Sequence, residues 1–346
     1  MSADLRAGGT SWVDEFVLAL AARGVTDRWI LQQRAWVEQL LAFAACPVWE
    51  VQPADVDGWL VAARERGTGP QTRGQMVQAV YRFYAFVETR YGAWVREAVG
   101  RPVVCPVDEF NRPRRLARVG VRIPPSAQEV ELLFTAWRFH LPSLQGAGFL
   151  AAARDYVAAS LWRRLGLRIN ETVRLRAGDW YPHAGTYGIL HVRCGKGARG
   201  SGPRERLVPA IDGTDRLLAW WLTEVRPQFG DEPAGGQAVL LPSRQHTLEG
   251  RYRPACASTL RDGLASAVAQ WLPAWTGRLT PHPLRHFCAS HLYACGVGLE
   301  AVGALLGHRW LSTTAQYVHV PAERIERCWQ QANDRLTGRL LGGPAP

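Results

Sequence analysis

The sequence predicts a mainly α-helical chain carrying one small antiparallel β-sheet, an α+β protein in two domains. Three observations predict it. Apolar residues recur at helical spacing through the first hundred positions, a Pro- and Arg-rich stretch without periodicity follows, and strand-like alternation is confined to about 179–209 with helical patterning on either side. At 346 residues the chain has length for two cores.

In chain order, Ser11 is placed to cap a first helix whose apolar positions Trp12, Phe16 and Leu20 recur four apart, with Val13 and Val17 beside them. Thr26 opens a second, carrying Trp29, Ile30, Trp36, Leu40 and Leu41 until Pro47. A third runs over about 56–65, and after a break at 67–70 a fourth holds Met76, Val80, Phe83 and Val87. This aromatic stripe is read as core. Residues 102–125 read as an interdomain linker, and Arg112-Pro-Arg-Arg115 within it suits either a phosphate backbone or plain solvent. Ser126 reads as an N-cap ahead of Val130, Leu132, Leu133 and Phe134. A long apolar helix over about 149–164 should stop at Gly166. Residues 187–192 and 206–208 read as strands around a Gly-rich turn. Helices then resume from about Thr214, interrupted by a Gly/Pro-rich stretch over 227–254.

Composition narrows the partner. Forty-one Lys+Arg against thirty Asp+Glu leave a net charge of +11, a surplus that suits a polyanion such as nucleic acid. Seven scattered cysteines without a C-x-x-C pair read as reduced thiols acting mostly as small core residues. No start segment resembles a secretory signal, and no apolar run reaches the ~18–20 residues that span a bilayer, so a cytoplasmic address is expected.

Four segments of the second domain concentrate the chemistry: Gly166-Leu-Arg168-Ile-Asn-Glu171, Gly195-Lys196-Gly197, His282-Pro-Leu-Arg285-His286, and Leu306-Gly-His308 followed by Tyr317-Val-His319. Pro283 fits the first position of a helix, which would make His282 its cap and put Arg285 in its first turn. The free N–H groups and dipole of such a helix form an anion site. His282 and His286 are also spaced for zinc, but Pro283 stands where the metalloprotease pattern needs Glu, so no metal is expected. Lys196 is the only lysine in the chain, every other basic side chain being arginine. Arginine is effectively always protonated, whereas lysine can release its proton, so a position that must donate one accepts Lys and not Arg. Arg168 follows a helix stop, where its fork can project towards phosphate oxygens. Gly307 should end an apolar helix and leave His308 just past it, and Ser312 can cap a short helix bearing Tyr317.

Taken in order, His-x-Leu-Arg-His, Leu-Leu-Gly-His and Ser-Thr-Thr-x-x-Tyr-x-His-Val, preceded by Gly-Leu-Arg-Ile-x-Glu and Gly-Lys-Gly, resemble the tyrosine recombinases, or phage integrases, over roughly residues 126–330. The first hundred residues are similar to that family's helical core-binding domain only in length and texture. The resemblance implies a SAM-like core-binding domain over 8–104, a linker over 105–125, a catalytic domain with a three-stranded sheet over 126–322, and a C-terminal amphipathic helix and tail over 323–346. It implies Arg168, Lys196, His282, Arg285, His308 and Tyr317 as the catalytic set, with His286 and His319 in support. It implies cleavage and rejoining of double-stranded DNA through a 3′-phosphotyrosine on Tyr317, without ATP, metal or other cofactor. Tyr317 would attack, Arg168, Arg285 and His308 would hold the phosphate, Lys196 would protonate the leaving 5′-oxygen, and His282 would act as base or positioner. Assembly as a homo-tetramer on paired sites, accessory proteins and residence on a mobile element are further expectations. In the C-terminal segment Ile325, Trp329, Ala332 and Leu336 form an apolar stripe, docking on a neighbouring protomer or in cis. A type IB topoisomerase and a catalytically silent DNA-binding protein are the rival readings. The intact set, with its solitary lysine, argues against the silent one.

Overall fold

In the computed structural model, which describes residues 12–112, 124–195, 204–230, 236–248 and 250–308, the chain divides into two units, each with its own core. Ser11, Lys196, Ser312, Tyr317, His319 and the C-terminal stripe lie outside the described residues. Among the described residues no helix is long and apolar enough to cross a membrane.

The first unit is four helices: α1 (Trp12–Ala21), α2 (Asp27–Ala44), α3 (Pro53–Glu65) and α4 (Pro70–Val99). Thr26 is the N-cap of α2 as its position predicts, but its backbone conformation and not its hydroxyl makes the start. The third helix begins earlier than its apolar pattern, because Pro53 sits at the first position and the Asp55 carboxylate reaches back to the Gln52 N–H at 2.8 Å. The aromatic stripe is core: Trp59, Phe83 and Tyr84 are buried, and Phe16 meets Phe83 edge-on at 5.5 Å. The chain after Gly100 stays with this unit. Val103 and Val107 are buried in its core and Arg112 lies over the Tyr81 ring at 4.8 Å, so the first part of the Pro/Arg stretch is packed structure.

The second unit is built around α6 (Gly146–Leu165), which is hydrophobic on nearly every side and buried from Ala153 to Trp162. Before it comes α5 (Ala127–His140), and Ser126 caps α5 as expected. Its hydroxyl accepts the Glu129 N–H at 3.2 Å while the Glu129 carboxylate accepts the Ser126 N–H at 2.7 Å. After α6 the chain passes through the short α7 (Ile169–Val173) into a three-stranded antiparallel sheet, β1 (Trp180–Tyr181), β2 (Ile189–Gly195) and β3 (Arg204–Pro209), ordered β1-β2-β3. Leu190 pairs with Val208 and both are buried, while the next pair, His191 and Leu207, faces outwards. There follow α8 (Thr214–Trp220), a hairpin of β4 (Pro242–His246) and β5 (Tyr252–Pro254), then α9 (Ala257–Trp271), α10 (Pro281–Ala294) and α11 (Leu299–Leu306). Helices α5, α8, α9 and α10 pack on α6, α11 packs on α10 and β3, and α7 packs on β2.

Three local expectations are corrected. The stretch over 227–254 is not simply an interruption, since it contains the hairpin of β4 and β5. Helix α10 starts two residues earlier than Pro283 predicts: Pro281 takes the first position, Thr280 is the cap, and His282 lies inside the first turn. Of the described cysteines only Cys288 is buried, its thiol pushed up to about 12 by burial.

Candidate active site

Three chain breaks bring the site together. The first is Gly166, whose φ of +60° ends α6 in the left-handed region. A Cβ there would collide with the Leu306 side chain, so glycine serves both the turn and the close approach of α11. Two residues on, Arg168 takes extended backbone as the N-cap of α7, and its side chain is 30% exposed. Glu171, three residues into α7, accepts the Arg168 N–H at 2.9 Å and the Arg168 Nη1 at 2.8 Å.

The second break is Gly307, at φ +68° after α11. The Gly307 N–H donates to the Ala304 carbonyl at 3.0 Å and the His308 N–H to the Gly303 carbonyl at 2.9 Å, a Schellman closure that fixes where His308 leaves the helix. The third is the start of α10, which delivers Arg285. This arginine is buried, donates to the carbonyls of Gly166 and of Leu306 (2.7 Å from Nη2), and places Nη2 3.0 Å from His308 Nε2.

Electrostatics sharpen this arrangement. His308 is held well below its ordinary range, at about 4, by burial and then by the charges of Arg285, Arg168 and Arg206 and by His286. Its imidazole is therefore neutral at neutral pH, and Nε2 accepts from the Arg285 guanidinium. Glu171 is buried, which by itself would raise its carboxyl. The hydrogen bonds and charge of Arg206, with the two donors of Arg168, outweigh that and bring it down to about 2. Three guanidiniums against one carboxylate leave this pocket positive, the condition for holding an anion.

Thus Arg168, Arg285 and His308 come together as the motifs imply. His282 reaches them at one remove: its Nε2 is 3.1 Å from Nε2 of His286, which itself acts on His308. The row of free N–H groups expected at the start of α10 is thinned, because Pro281 and Pro283 have none to give, which leaves more of the positive charge to side chains. Arg206 was missed as a site residue. Its Nη1 and Nη2 meet the two Glu171 oxygens at 3.0 and 2.8 Å, and its Nε donates to the Leu305 carbonyl at 2.9 Å. In the sequence it is one arginine among forty on an unremarkable strand, and only the buried acid it serves could have drawn attention to it.

The fold and this pocket define an α+β protein with a positively charged site assembled from helix ends and a sheet edge. Residues 142–324, more than half of the chain, match the phage integrase family. Over 321 residues the chain is 28% identical to tyrosine recombinase XerD of Caulobacter vibrioides, covering 92% of this chain and 94% of that protein. With tyrosine recombinase XerD of Listeria monocytogenes it shares 25% identity over 285 residues, 82% of this chain and 84% of the relative. Among solved structures, XerH site-specific recombinase bound to a palindromic difH substrate superposes with a TM-score of 0.62 at 16% identity, covering 92% of this chain and 84% of that one, a likeness of fold. The chain belongs to the phage integrase family and is a tyrosine-type site-specific recombinase.

Proposed function

We propose that this recombinase cleaves and rejoins double-stranded DNA through a 3′-phosphotyrosine on Tyr317, without ATP or metal. The observation that carries the reading is the convergence of Arg168, Arg285 and neutral His308 on one positively charged pocket. Phosphoryl transfer asks mainly for positioning and for charge that meets the phosphate oxygens. Arg168 and Arg285 hold the non-bridging oxygens and offset charge in the five-coordinate transition state. The charges that a divalent ion would otherwise bring are thus already fixed to the protein. Each such donor is worth about 3–4 kcal/mol when removed. His308, a neutral ring, adds a hydrogen bond to the same phosphate.

Tyr317 attacks phosphorus in line, its proton leaves towards His282 directly or by way of His286, and Lys196 protonates the departing 5′-oxygen. The phosphotyrosine conserves the energy of the broken bond, so religation needs no nucleotide. Residues 8–104 serve as the helical DNA-binding domain, 105–125 as the linker, its first part packed on that domain, 126–322 as the catalytic domain and 323–346 as a helix that docks on a neighbouring protomer. Four protomers on two paired sites complete the assembly, with accessory proteins where the site demands them. The net charge of +11 supports the DNA partner, since phosphate neutralisation supplies most of the affinity of such complexes.

The test is to trap covalent complexes in cells and sequence the DNA attached to the chain. Wild-type protein should yield one recurrent sequence joined through Tyr317, and Tyr317→Phe should yield none while still shifting that duplex in a gel. Adduct formation by the Phe variant would remove Tyr317 as the nucleophile.

A further inference from the structure

We infer that Arg206 is a positioning residue for strand cleavage, aligning Arg168 through Glu171 and tying that pair to the end of α11 that delivers His308. This rests on the reading of the site given above and goes beyond it, since none of the sequence motifs includes Arg206.

The argument begins with what one planar fork reaches. Arg206 stands in β3 opposite Val192 of β2, on the strand pair that flanks residues 196–203 in the sequence. Its two terminal nitrogens hold both oxygens of Glu171, and Nε holds the Leu305 carbonyl in the last turn of α11. Glu171 uses the same two oxygens for the Arg168 N–H and Nη1. Three elements far apart in the chain, α7, β3 and α11, are thereby joined through one guanidinium whose side chain is 11% exposed. The space for it is reserved: a Cβ on Gly307 would lie 3.0 Å from Arg206 Cδ, so the glycine ahead of His308 makes room for this stem as well as turning the chain. Glu171, burdened with two cations, cannot leave Arg168 without breaking its bonds to Arg206. Arg168 is therefore held at the pocket by a carboxylate whose own place is fixed from a second element.

A lysine at 206 keeps the charge but offers a point donor in place of a fork, so it cannot hold both Glu171 oxygens and the Leu305 carbonyl together. The experiment uses the full chain and a nicked suicide duplex built on the sequence recovered from wild-type adducts. Single-turnover adduct formation and duplex affinity are measured for wild type, Arg206→Lys, Arg206→Gln, Glu171→Gln and the Arg206→Lys/Glu171→Gln pair, each well below its Tm. Arg206→Lys should bind the duplex as wild type does and form adduct about 10–100-fold more slowly, the size of effect expected when a reacting group is misplaced by about 1 Å. The double variant should be no slower than the slower single by more than about twofold, as for residues acting on one path. A rate for Arg206→Lys within about twofold of wild type overturns the proposal, as does a loss accounted for wholly by weaker binding, or independent losses that multiply in the pair. Should Arg206→Gln unfold, the lysine variant and the pair still decide. Failure of the wild type to form any adduct would strike at the functional reading itself, whereas equal rates for wild type and Arg206→Lys strike at Arg206 alone.

Discussion

Replacing Glu171 by glutamine keeps the shape of a side chain that is 1% exposed but removes the charge that four donors share. The displacement of its carboxyl from 4.5 to about 2 measures how much the site prefers the ionised form. At about 1.4 kcal/mol for each tenfold, it amounts to roughly 3 kcal/mol. The group is almost fully enclosed, so solvent screening takes little from this figure. The amide also turns an NH2 towards groups that are themselves donors, and removing one member of a buried ion pair costs about 3–5 kcal/mol. A loss of about 3–5 kcal/mol from the second unit is expected, enough to leave it folded but marginal. Native-state hydrogen exchange of the α6 amides reads it without interference from the first unit. The pH dependence carries its own check. The folded carboxyl titrates below the unfolded one, so the stabilisation is complete above about 4.5 and is lost as pH falls towards 2. The difference between wild type and Glu171→Gln should therefore hold steady from pH 7 to about 5 and shrink only below that. A difference under about 1 kcal/mol at pH 7, or one already gone at pH 6, would refute the account of this acid as the anchor of two arginines.

Other outcomes follow from the same geometry. The His308 imidazole should titrate near 4 by NMR, and because this lies below the unfolded value of 6.5, its contribution weakens the fold as pH drops from 6.5 towards 4; a midpoint at 6 or above would contradict the burial and the arginine charges held responsible. Gly166→Ala should cost about 1–3 kcal/mol by combining a left-handed backbone with a collision against Leu306, and a melting temperature equal to wild type would show that α11 is free to move aside. Lys196→Arg should keep duplex affinity and slow adduct formation by about 10²–10⁴-fold, and a wild-type rate would remove the lysine as proton donor.

Much of the fold was legible in the sequence because its signals are local. Ser126 announces α5, Gly166 and Gly307 stop their helices where their positions predict, and in β2 the buried Leu190 and Val192 flank the outward His191 as a half-buried sheet requires. The grouping of Arg168, Arg285 and His308 followed from motif order. What escaped depends on distant neighbours. The β4 strand reads Pro-Ser-Arg-Gln-His and carries almost no strand signature, so the Gly/Pro-rich texture around it dominated. The sequence places the start of α10 at Pro283 and it lies at Pro281, because the third helical position also tolerates a residue without an N–H and Pro283 can sit there. Arg206 could not be told from other strand arginines, since its partners lie 35 positions away in Glu171 and 99 away in Leu305.

The bonds of Arg285 to the carbonyls of Gly166 and Leu306 have a consequence for how its charge is used. The Leu306 carbonyl is the last of α11, a negative dipole end equivalent to roughly half an elementary charge, while the Gly166 carbonyl follows the left-handed turn that ends α6. A carbonyl has no net charge to give, so these contacts aim the fork and offset only part of its positive charge. The guanidinium is thus already aligned by the backbone, and the cost of orienting it has been met during folding.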